Sequence, residues 1–271
     1  MGLIDASTVA IDSTKLEAYE KSVSKKNINQ DGRSADWGVK SDTNGNPVKW
    51  FGYKLHAVCE VSSGLPLAIH ITPASTHDRE AVDVLPKKCR ENIKHKPNYY
   101  VMDAAYDGRE IYELIHKEYH AQAIIPLNRR NAKQPQAGFC SAGYRMVYWG
   151  SSNGKNKFRC PHILRKCDCP CGSAWCSESN YGLVVKTSVK QDPRLFTVPH
   201  RGTKNWNKLY NLRTFSERCF ARFKENLGLE TGLKLGKYDK VTAHAYLCAI
   251  TMYAAVIAVN QQYQNEEKLA V

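Results

Sequence analysis

The sequence predicts an α/β fold built on a mixed sheet that is flanked by helices. β-Type and helical segments alternate through the first half of the chain, and two of the strand-like segments end in an aspartate. A helical segment near residue 210 carries a row of polar side chains. Because the active sites of α/β folds gather where strands end, these features predict a site as well as a fold.

The first predicted strand runs from Ser7 to Asp12, a short stretch of β-branched and apolar residues that ends in a carboxylate. An aspartate at the C-terminal end of a strand lies at the rim of its sheet, where a substrate can reach it. Asp5 is a competing candidate in the same part of the chain. The residue types alone leave both carboxylates open.

A β-hairpin is predicted next, with strands from Trp50 to Val61 and from Leu65 to Thr72 around a Ser-Ser-Gly turn. The polar stretch before it, Glu17 to Lys49, has little periodicity and predicts a loop. Strand alternation places Lys54 and His56 together on one side of the first hairpin strand. An exposed lysine and histidine on a half-buried strand are equally compatible with no function.

The alternation continues with a helix from Arg79 to Ile93, a strand from Tyr99 to Asp103, a helix from Gly108 to Tyr119 and a strand from Ala121 to Leu127. The predicted strand from Tyr99 to Asp103 ends in a carboxylate, as the first predicted strand of the chain does. Asp107 is well placed to cap the N-terminus of the following helix. We therefore expect a structural role for Asp107 first and a catalytic role second.

A β-rich insertion is predicted over residues 129–204, where short strand-like runs are joined by Gly, Asn and Ser turns. Six of the ten cysteines lie in it. A structural zinc site is one interpretation, and free thiols are the other, because the C-x-C-x-C spacing differs from the usual C-x2-C knuckle. The candidate zinc ligands are Cys140, Cys160, Cys167 and Cys171.

The segment from Asn207 to Asn226 contains no proline or glycine and predicts one uninterrupted helix. At 100° per residue, Tyr210, Arg213, Glu217 and Lys224 fall within an arc of about 60°. One face then carries a phenol, a guanidinium, a carboxylate and an ammonium. A solvated, salt-bridged face is the alternative, because Arg213 and Glu217 have the i,i+4 spacing of surface ion pairs.

The order of elements is strand, hairpin, helix, strand, helix, strand and, after the insertion, the polar-faced helix. This order is typical of a ribonuclease H-like topology, with residues 1–128 and 205–271 as its core. A mostly apolar helix from Val241 to Gln261 is expected to pack behind the sheet. In this topology three element ends converge and predict one shared site. Their carboxylates are those of Asp12, Asp103 and Glu217.

The spacing Y-x2-R-x3-E-x6-K from Tyr210 to Lys224 resembles the signature of DDE transposases of the insertion sequence 4 group. The sequence IDST around Asp12 resembles the first catalytic motif of that family, which favours Asp12 over Asp5. D-x-x-Y-D, which begins at Asp103, resembles the second motif, and GYKLH in the predicted hairpin resembles the second strand of the family.

This resemblance implies a DNA transposase that cleaves and transfers strands of an insertion sequence with two Mg²⁺ or Mn²⁺ ions. It implies that Asp12 bridges the two ions and that Asp103 and Glu217 each hold one. The residues that it implies in contact with DNA are Tyr210, Arg213, Lys224, Lys54 and His56.

The charge of the chain agrees with such a partner. Lysine and arginine number 39 against 26 aspartates and glutamates, a formal net charge of +13, which favours a polyanion. The expected partners are double-stranded DNA, at the element ends and at the target, and a second copy in a synaptic homodimer. No membrane partner is expected, and the N-terminus lacks the layout of a signal peptide, so the expected location is the bacterial cytoplasm at the nucleoid.

Only 11 residues precede Asp12, whereas members of this group usually carry an N-terminal DNA-binding domain there. The chain is therefore expected to lack that domain. The alternative function is a truncated, catalytically silent remnant that binds DNA or regulates a full-length transposase.

Overall fold

The computed structural model describes residues 4–22, 32–41, 44–128, 138–140, 142–169, 176–230 and 235–269, with side chains up to Gln262. The chain divides into two compact units. The first comprises Met1–Val101 and Leu212–Val271, and the second comprises Met102–Asn211. The predicted division into a core and an insertion at residues 129–204 stays a prediction.

Five strands of the first unit form a mixed sheet. The strands are β1 (Thr8–Glu17), β2 (Asp36–Ser41), β3 (Pro47–Glu60), β4 (Pro66–Pro73) and β5 (Tyr99–Val101). β1 pairs antiparallel with β3 and parallel with β5. Along its other edge, β3 pairs first with β2 and then with β4. The predicted hairpin is confirmed as β3 and β4.

Strand β1 differs from the prediction, because it continues past Asp12 as far as Glu17. The cause is the length of β3, whose 14 residues offer β1 a partner from Glu60 to Gly52. Asp12 therefore lies within the strand and not at its end. The predicted loop before the hairpin also contains a strand, β2, which pairs with the first half of β3.

Helices cover both faces of this sheet. In chain order the α-helices are α1 (Leu85–Asn92), α2 (Arg109–Lys117), α3 (Lys204–Asn211), α4 (Thr214–Ala221) and α5 (Tyr238–Leu269), of which α2 and α3 belong to the second unit. The predicted helix from Arg79 begins instead as a 3₁₀ helix, Asp78–Asp83, and becomes α-helical only at Leu85. A proline at its N-terminus suits that start.

The main core of the first unit lies between the sheet and helices α4 and α5. Strand alternation sends Leu55, Ala57 and Cys59 of β3 to this side, where Phe220 and Met252 pack against them. The other face of the sheet is covered by α1, from which Lys88 and Asn92 donate hydrogen bonds to carbonyls of β4. Burial of each large apolar side chain contributes about 1.5–3 kcal/mol to folding.

Helix α5 was expected to be a core helix, and only one of its faces is buried. Val241, Ala245 and Met252 belong to the core, whereas Leu247 and Ile250 are each 61% exposed. Residues Tyr238–Gln262 have the length and, at a mean hydropathy of 1.6, the apolar character of a membrane-spanning helix, with 28% of the window buried. The packed face ties α5 to the sheet.

The second unit contains α2, α3, the strand β6 (Gln122–Ile124) and a three-stranded antiparallel sheet, β7-β8-β9. The strands of that sheet are β7 (Val147–Ser152), β8 (Lys155–Arg159) and β9 (Val184–Ser188). Short strands were predicted in this segment and are present.

Asp107 has a structural role, although a different one from the predicted helix cap. Helix α2 is capped by Gly108 without a side-chain hydrogen bond. The Asp107 carboxylate is fully buried and accepts two hydrogen bonds from Arg194, at 2.9 and 2.7 Å, and one from the Asn128 backbone at 2.8 Å. The ion pair thus fastens the start of α2 to a segment 87 residues later.

Replacing Arg194 by methionine should lower the free energy of unfolding by about 3–5 kcal/mol, because the buried Asp107 carboxylate loses its charged partner. Arg109→Met is the matched control, since Arg109 is 62% exposed and pairs at the surface with Glu113 and Asp192. Its loss should stay below about 1 kcal/mol. Denaturant unfolding followed by fluorescence measures both, and equal losses would contradict the role of the buried pair.

Candidate active site

Asp12 points from the sheet toward helix α4. It is paired with Ala57, and directly paired residues of antiparallel strands face the same side, which here is the side of α4 and α5. The carboxylate is 13% exposed. It accepts hydrogen bonds from the Ser13 backbone at 2.8 Å and from the Ser216 hydroxyl at 3.1 Å.

Arg213 joins Asp12 to Glu217. One guanidinium nitrogen lies 3.4 Å from Asp12 Oδ2 and the other lies 2.7 Å from Glu217 Oε1. The i,i+4 ion pair that the sequence suggested is therefore present, but it is one half of a bridge between a helix and a strand. Glu217 is 55% exposed, so the bridge runs from the sheet to solvent.

Ser216 is a site residue that the sequence did not reveal. Its hydroxyl is buried and lies 2.7 Å from the Arg213 carbonyl as well as 3.1 Å from Asp12. A hydroxyl has one proton to donate, so the two acceptors share it. A serine inside a helix usually hydrogen-bonds backward along its own helix, and nothing in its spacing indicates a second partner.

The polar row does not lie on one uninterrupted helix, which corrects the prediction. Tyr210 lies in α3, which ends at Asn211, and its ring stacks on Trp206 at 5.2 Å. A turn at Leu212 and Arg213 follows, with i to i+3 bonds from Phe215 and Ser216, before α4 begins at Thr214. The 100° step that placed four residues in one arc therefore does not hold across this turn.

Lys224 lies beyond α4 in a π-helical turn, Arg222–Asn226. Its ammonium lies 2.7 Å from Glu230, and both side chains are less than one-fifth exposed. Lys15 of β1 approaches the same carboxylate at 4.0 Å. The contact of Lys224 with DNA stays a prediction, while the structure gives its ammonium an ion pair within the first unit.

Lys54 and His56 lie on the face of the sheet opposite Asp12, because they alternate with the core residues of β3. Lys54 donates to the Thr76 carbonyl at 2.7 Å and to Asp78 at 2.9 Å. His56 has no exposed surface and lies 2.8 Å from the Thr72 hydroxyl. A direct DNA contact by His56 was expected and has no room here, because β4 and the segment after it cover the ring.

The surroundings of His56 also set its charge. Burial is the main cause that lowers the pKa of His56 to about 4, and the positive charge of Lys54 acts in the same direction against the opposite effect of Asp78. Burial would raise the pKa of Asp78, but its hydrogen bond from Lys54 leaves that pKa lowered. His56 is thus a neutral, structural histidine at neutral pH.

Asp103 belongs to the second unit, two residues after the end of β5. Its carboxylate accepts a hydrogen bond of 2.9 Å from the Ala105 backbone and caps the 3₁₀ helix Ala104–Tyr106. The Asp5 carboxylate, the competing candidate, accepts one from the Ser7 backbone, which is the main cause that lowers the pKa of Asp5.

The first unit thus brings together Asp12 and Glu217 around one cation, the Arg213 guanidinium. Carboxylate oxygens are the ligands that Mg²⁺ and Mn²⁺ prefer, so the donor set fits a hard divalent cation. Among the described residues no three acidic, histidine or cysteine side chains already surround a common point. Of the predicted zinc ligands, Cys171 lies outside the described residues, and Cys140, Cys160 and Cys167 carry free thiols.

A comparison with protein families gives one finding. The family model described as Transposase DDE domain matches residues 4–253 of the chain. The match includes the whole second unit, most of the first unit and all three candidate carboxylates. No curated protein and no solved structure matches the chain.

Replacing Arg213 by glutamine should tighten the binding of Mn²⁺ by about three- to tenfold, because the guanidinium competes with the metal for two carboxylates. Arg218→Gln is the matched control, since Arg218 lies on α4, the helix that follows Arg213, with its guanidinium 4.8 Å from the centre of the Phe215 ring. Calorimetric or spin-resonance titration of the DNA-free protein gives both dissociation constants. An unchanged or weaker affinity in the Arg213 variant would show that this arginine does not occupy the metal's place.

Proposed function

The chain belongs to the transposase DDE domain family, whose activity is DNA transposition, and from that premise we propose that it cleaves and transfers the strands of an insertion sequence. The finer assignment is to the insertion sequence 4 group, on the Y-R-E-K spacing of Tyr210, Arg213, Glu217 and Lys224. The observation that carries the proposal is the Arg213 bridge between Asp12 and Glu217. Two carboxylates that share one cation offer oxygen ligands of the kind that Mg²⁺ and Mn²⁺ prefer.

Asp12, Asp103 and Glu217 are the proposed metal ligands. Asp103 follows Val101 by two residues, and Asp12 follows Ala10, the partner of Val101 in the parallel pair of β1 and β5, by the same number. This shared offset supports a common role for the two aspartates. Bound divalent cations would activate a water and stabilise the leaving 3′ oxygen.

The protein's own groups have separate tasks in this proposal. Ser216 and the Ser13 backbone fix the Asp12 carboxylate by hydrogen bonds, so that it presents a defined oxygen to a metal. Arg213 neutralises both carboxylates before a metal arrives and can then turn to a DNA phosphate, which a guanidinium binds with two hydrogen bonds.

The proposed DNA contacts are Arg213, Lys224 and Tyr210. A lysine binds a phosphate as a point charge, and the exposed side of a stacked phenol can pack on a base or sugar. The formal net charge of +13 supports binding to a polyanion and predicts that affinity falls as salt rises. Such a protein would work at the chromosome, in the bacterial cytoplasm. Lys54 stays a proposed contact, and His56 is left out of this set because it is buried.

A second copy of the chain is the proposed partner of helix α5. Between Ala243 and Gln261, exposed residues on one side of α5 recur at alternating spacings of four and three positions, which is the pattern of a coiled-coil seam. None of these seam residues is charged. A membrane is the less suitable occupant, because the opposite face of α5 is part of the core. The proposed seam residues are Ala243, Leu247, Ile250, Ala254, Ile257 and Gln261.

Metal-dependent nicking tests the catalytic proposal. The wild-type chain should nick supercoiled plasmid only with Mg²⁺ or Mn²⁺, whereas Asp12→Asn, Asp103→Asn and Glu217→Gln should each lose at least about a hundredfold in rate. Filter binding at two salt concentrations should show DNA affinity within about threefold of wild type for each variant, since these residues hold the metal.

Asp5→Asn is the matched control, because Asp5 is an aspartate near the same strand that only caps a turn. It should nick at the wild-type rate. Nicking that survives in Asp12→Asn and disappears in Asp5→Asn would overturn the site. Salt-sensitive DNA binding without any nicking in the wild type would overturn the proposed enzymatic activity and would indicate a DNA-binding protein.

The double substitution Leu247→Lys, Ile250→Lys should convert the dimer to a monomer, because the new lysines of one copy would face those of the other across the seam. Ala255→Lys is the control, since Ala255 is exposed on the same helix about 120° from the centre of the seam. Sedimentation velocity measures the three proteins. A monomeric wild type, or flotation of the wild type with phospholipid vesicles, would contradict the seam.

A further inference from the structure

The β7-β8-β9 sheet of the second unit has one buried face and one charged face. Asn156 and Phe158 of β8 belong to the buried face. The other three residues of β8 alternate with them and therefore lie on the opposite face. Lys186 of β9 lies there too, because it is directly paired with Lys157. The cations of this face, called the cationic face below, are Lys155, Lys157, Arg159 and Lys186.

The positive charges of the cationic face are not balanced by acidic side chains. The salt bridges within the described part of the second unit join Arg109, Lys117 and Arg194 to acids, and none involves the cationic face. Lys157 and Lys186 lie directly opposite each other on neighbouring strands. Like charges in that position destabilise a sheet. A bound polyanion would remove this repulsion.

Two aromatic rings accompany these cations. The Arg159 guanidinium carbon lies 4.4 Å from the centre of the Trp149 ring and 3.4 Å from the centre of the Tyr181 ring. The Lys157 ammonium lies 3.0 Å from the Tyr181 hydroxyl. Trp149 stands where the register of β7 shifts, at a bulge that re-aims its side chain. Trp149 remains 50% exposed and Tyr181 39% exposed, so both rings can be reached from solvent.

Arg159 holds this arrangement together. Its side chain is buried, and its Nη2 donates to the Tyr181 carbonyl at 2.8 Å. Its buried Nε has no hydrogen-bond partner among the described residues. A buried donor without an acceptor costs free energy, so the arginine is not explained by stability alone. Its contacts fix the positions of two accessible rings before any ligand arrives.

Rings that are open to solvent beside unbalanced cations are the parts with which proteins bind single-stranded nucleic acid. Bases stack on aromatic side chains, and phosphates are held by lysine and arginine. The four steps from Lys155 to Arg159 span about 13 Å, which is the rise of about four stacked nucleotides. In a duplex the flat sides of the bases are covered by their neighbours, so the rings require unpaired bases.

We propose that the cationic face binds an unpaired DNA strand of about four nucleotides. Its lysines contact the phosphates, and the rings of Trp149 and Tyr181 stack on bases. The inference rests on the proposed strand cleavage, which would leave unpaired nucleotides at a cut end. It adds a second DNA-binding surface to the one around Arg213.

Fluorescence anisotropy of a labelled single-stranded oligonucleotide with the full chain, in a chelator so that no nicking occurs, tests the stacking. Trp149→Ala should weaken binding at least about fivefold. With an abasic strand of the same length and charge, wild type and Trp149→Ala should bind equally. Trp37→Ala is the matched control and should bind like wild type, since Trp37 is a 59% exposed tryptophan on β2 of the first unit.

The salt dependence of the same binding tests the phosphate contacts. The double substitution Lys157→Gln, Lys186→Gln should reduce the slope of log affinity against log salt by about 1.4, the value expected for two lost contacts to a single strand. It removes a like-charge pair, so the sheet should not lose stability. Lys40→Gln, Lys49→Gln is the control, because these lysines are exposed on β2 and β3, and it should leave the slope unchanged.

Lysine acetylation of the wild type, read by peptide mass spectrometry, keeps the test independent of how the variants fold. With the oligonucleotide bound, Lys155, Lys157 and Lys186 should react at least about fivefold more slowly, since phosphates cover their ammonium groups. Lys40 and Lys49 should react at an unchanged rate.

Three results would overturn the assignment. They are an equal loss by Trp149→Ala on the abasic strand, an equal loss on a DNA duplex, and protection of the same lysines by single-stranded RNA at lower concentration than by DNA. Because nicking is not a readout here, a failure of this surface and a failure of the proposed transposase are told apart.

Discussion

The contact of Arg213 with two carboxylates is the interaction on which the candidate site depends. Glu217 alone would form an ordinary helical ion pair, worth about 0.5 kcal/mol at an exposed position. Asp12, however, comes from a strand about 200 residues earlier and keeps only a small part of its surface exposed. Its charge needs compensation from the helix that covers it, and Arg213 and Ser216 supply that compensation. The site is therefore a product of the packing of α4 on β1, which brings together residues about 200 positions apart in the chain.

Much of the architecture could be predicted because its signals are local. The hairpin of β3 and β4 follows from two β-rich runs around a turn, and helix α2 from its periodicity. The predictions that failed concern elements whose formation depends on partners distant in the sequence. β1 continues past Asp12 because β3 extends beyond it, and β2 forms from a polar segment because an open edge of β3 is there to pair with. His56 is buried because both faces of a central strand are covered, whereas alternation alone suggests one wet face.

The polar row shows a second limit of reading a helix from its sequence. Tyr210, Arg213, Glu217 and Lys224 have the spacing of one face, and no proline or glycine warns of an interruption. The turn at Leu212 and the π-helical turn after Ala221 each change the angle between successive residues. The motif survives as a spacing in the chain, while its members lie on α3, on the turn that follows it, on α4 and on the π-helical turn. A spacing of this kind therefore does not define a surface, and each residue needs its own contacts before it is given a role.

The described cysteines of the two units lie in different surroundings. The first unit buries a continuous apolar core between sheet and helices, in which cysteines serve as small hydrophobic groups. In the three-stranded sheet of the second unit the buried side chains are mostly those of β8, and of the described cysteines beside the sheet Cys160 is buried while the others are half-buried. A thiol in water gains little by clustering with other thiols, whereas a thiolate bound to zinc contributes several kilocalories per mole to folding. The same residue type therefore fills a hydrophobic core in the first unit, whereas a zinc-binding role for the cysteines of the second unit stays a prediction.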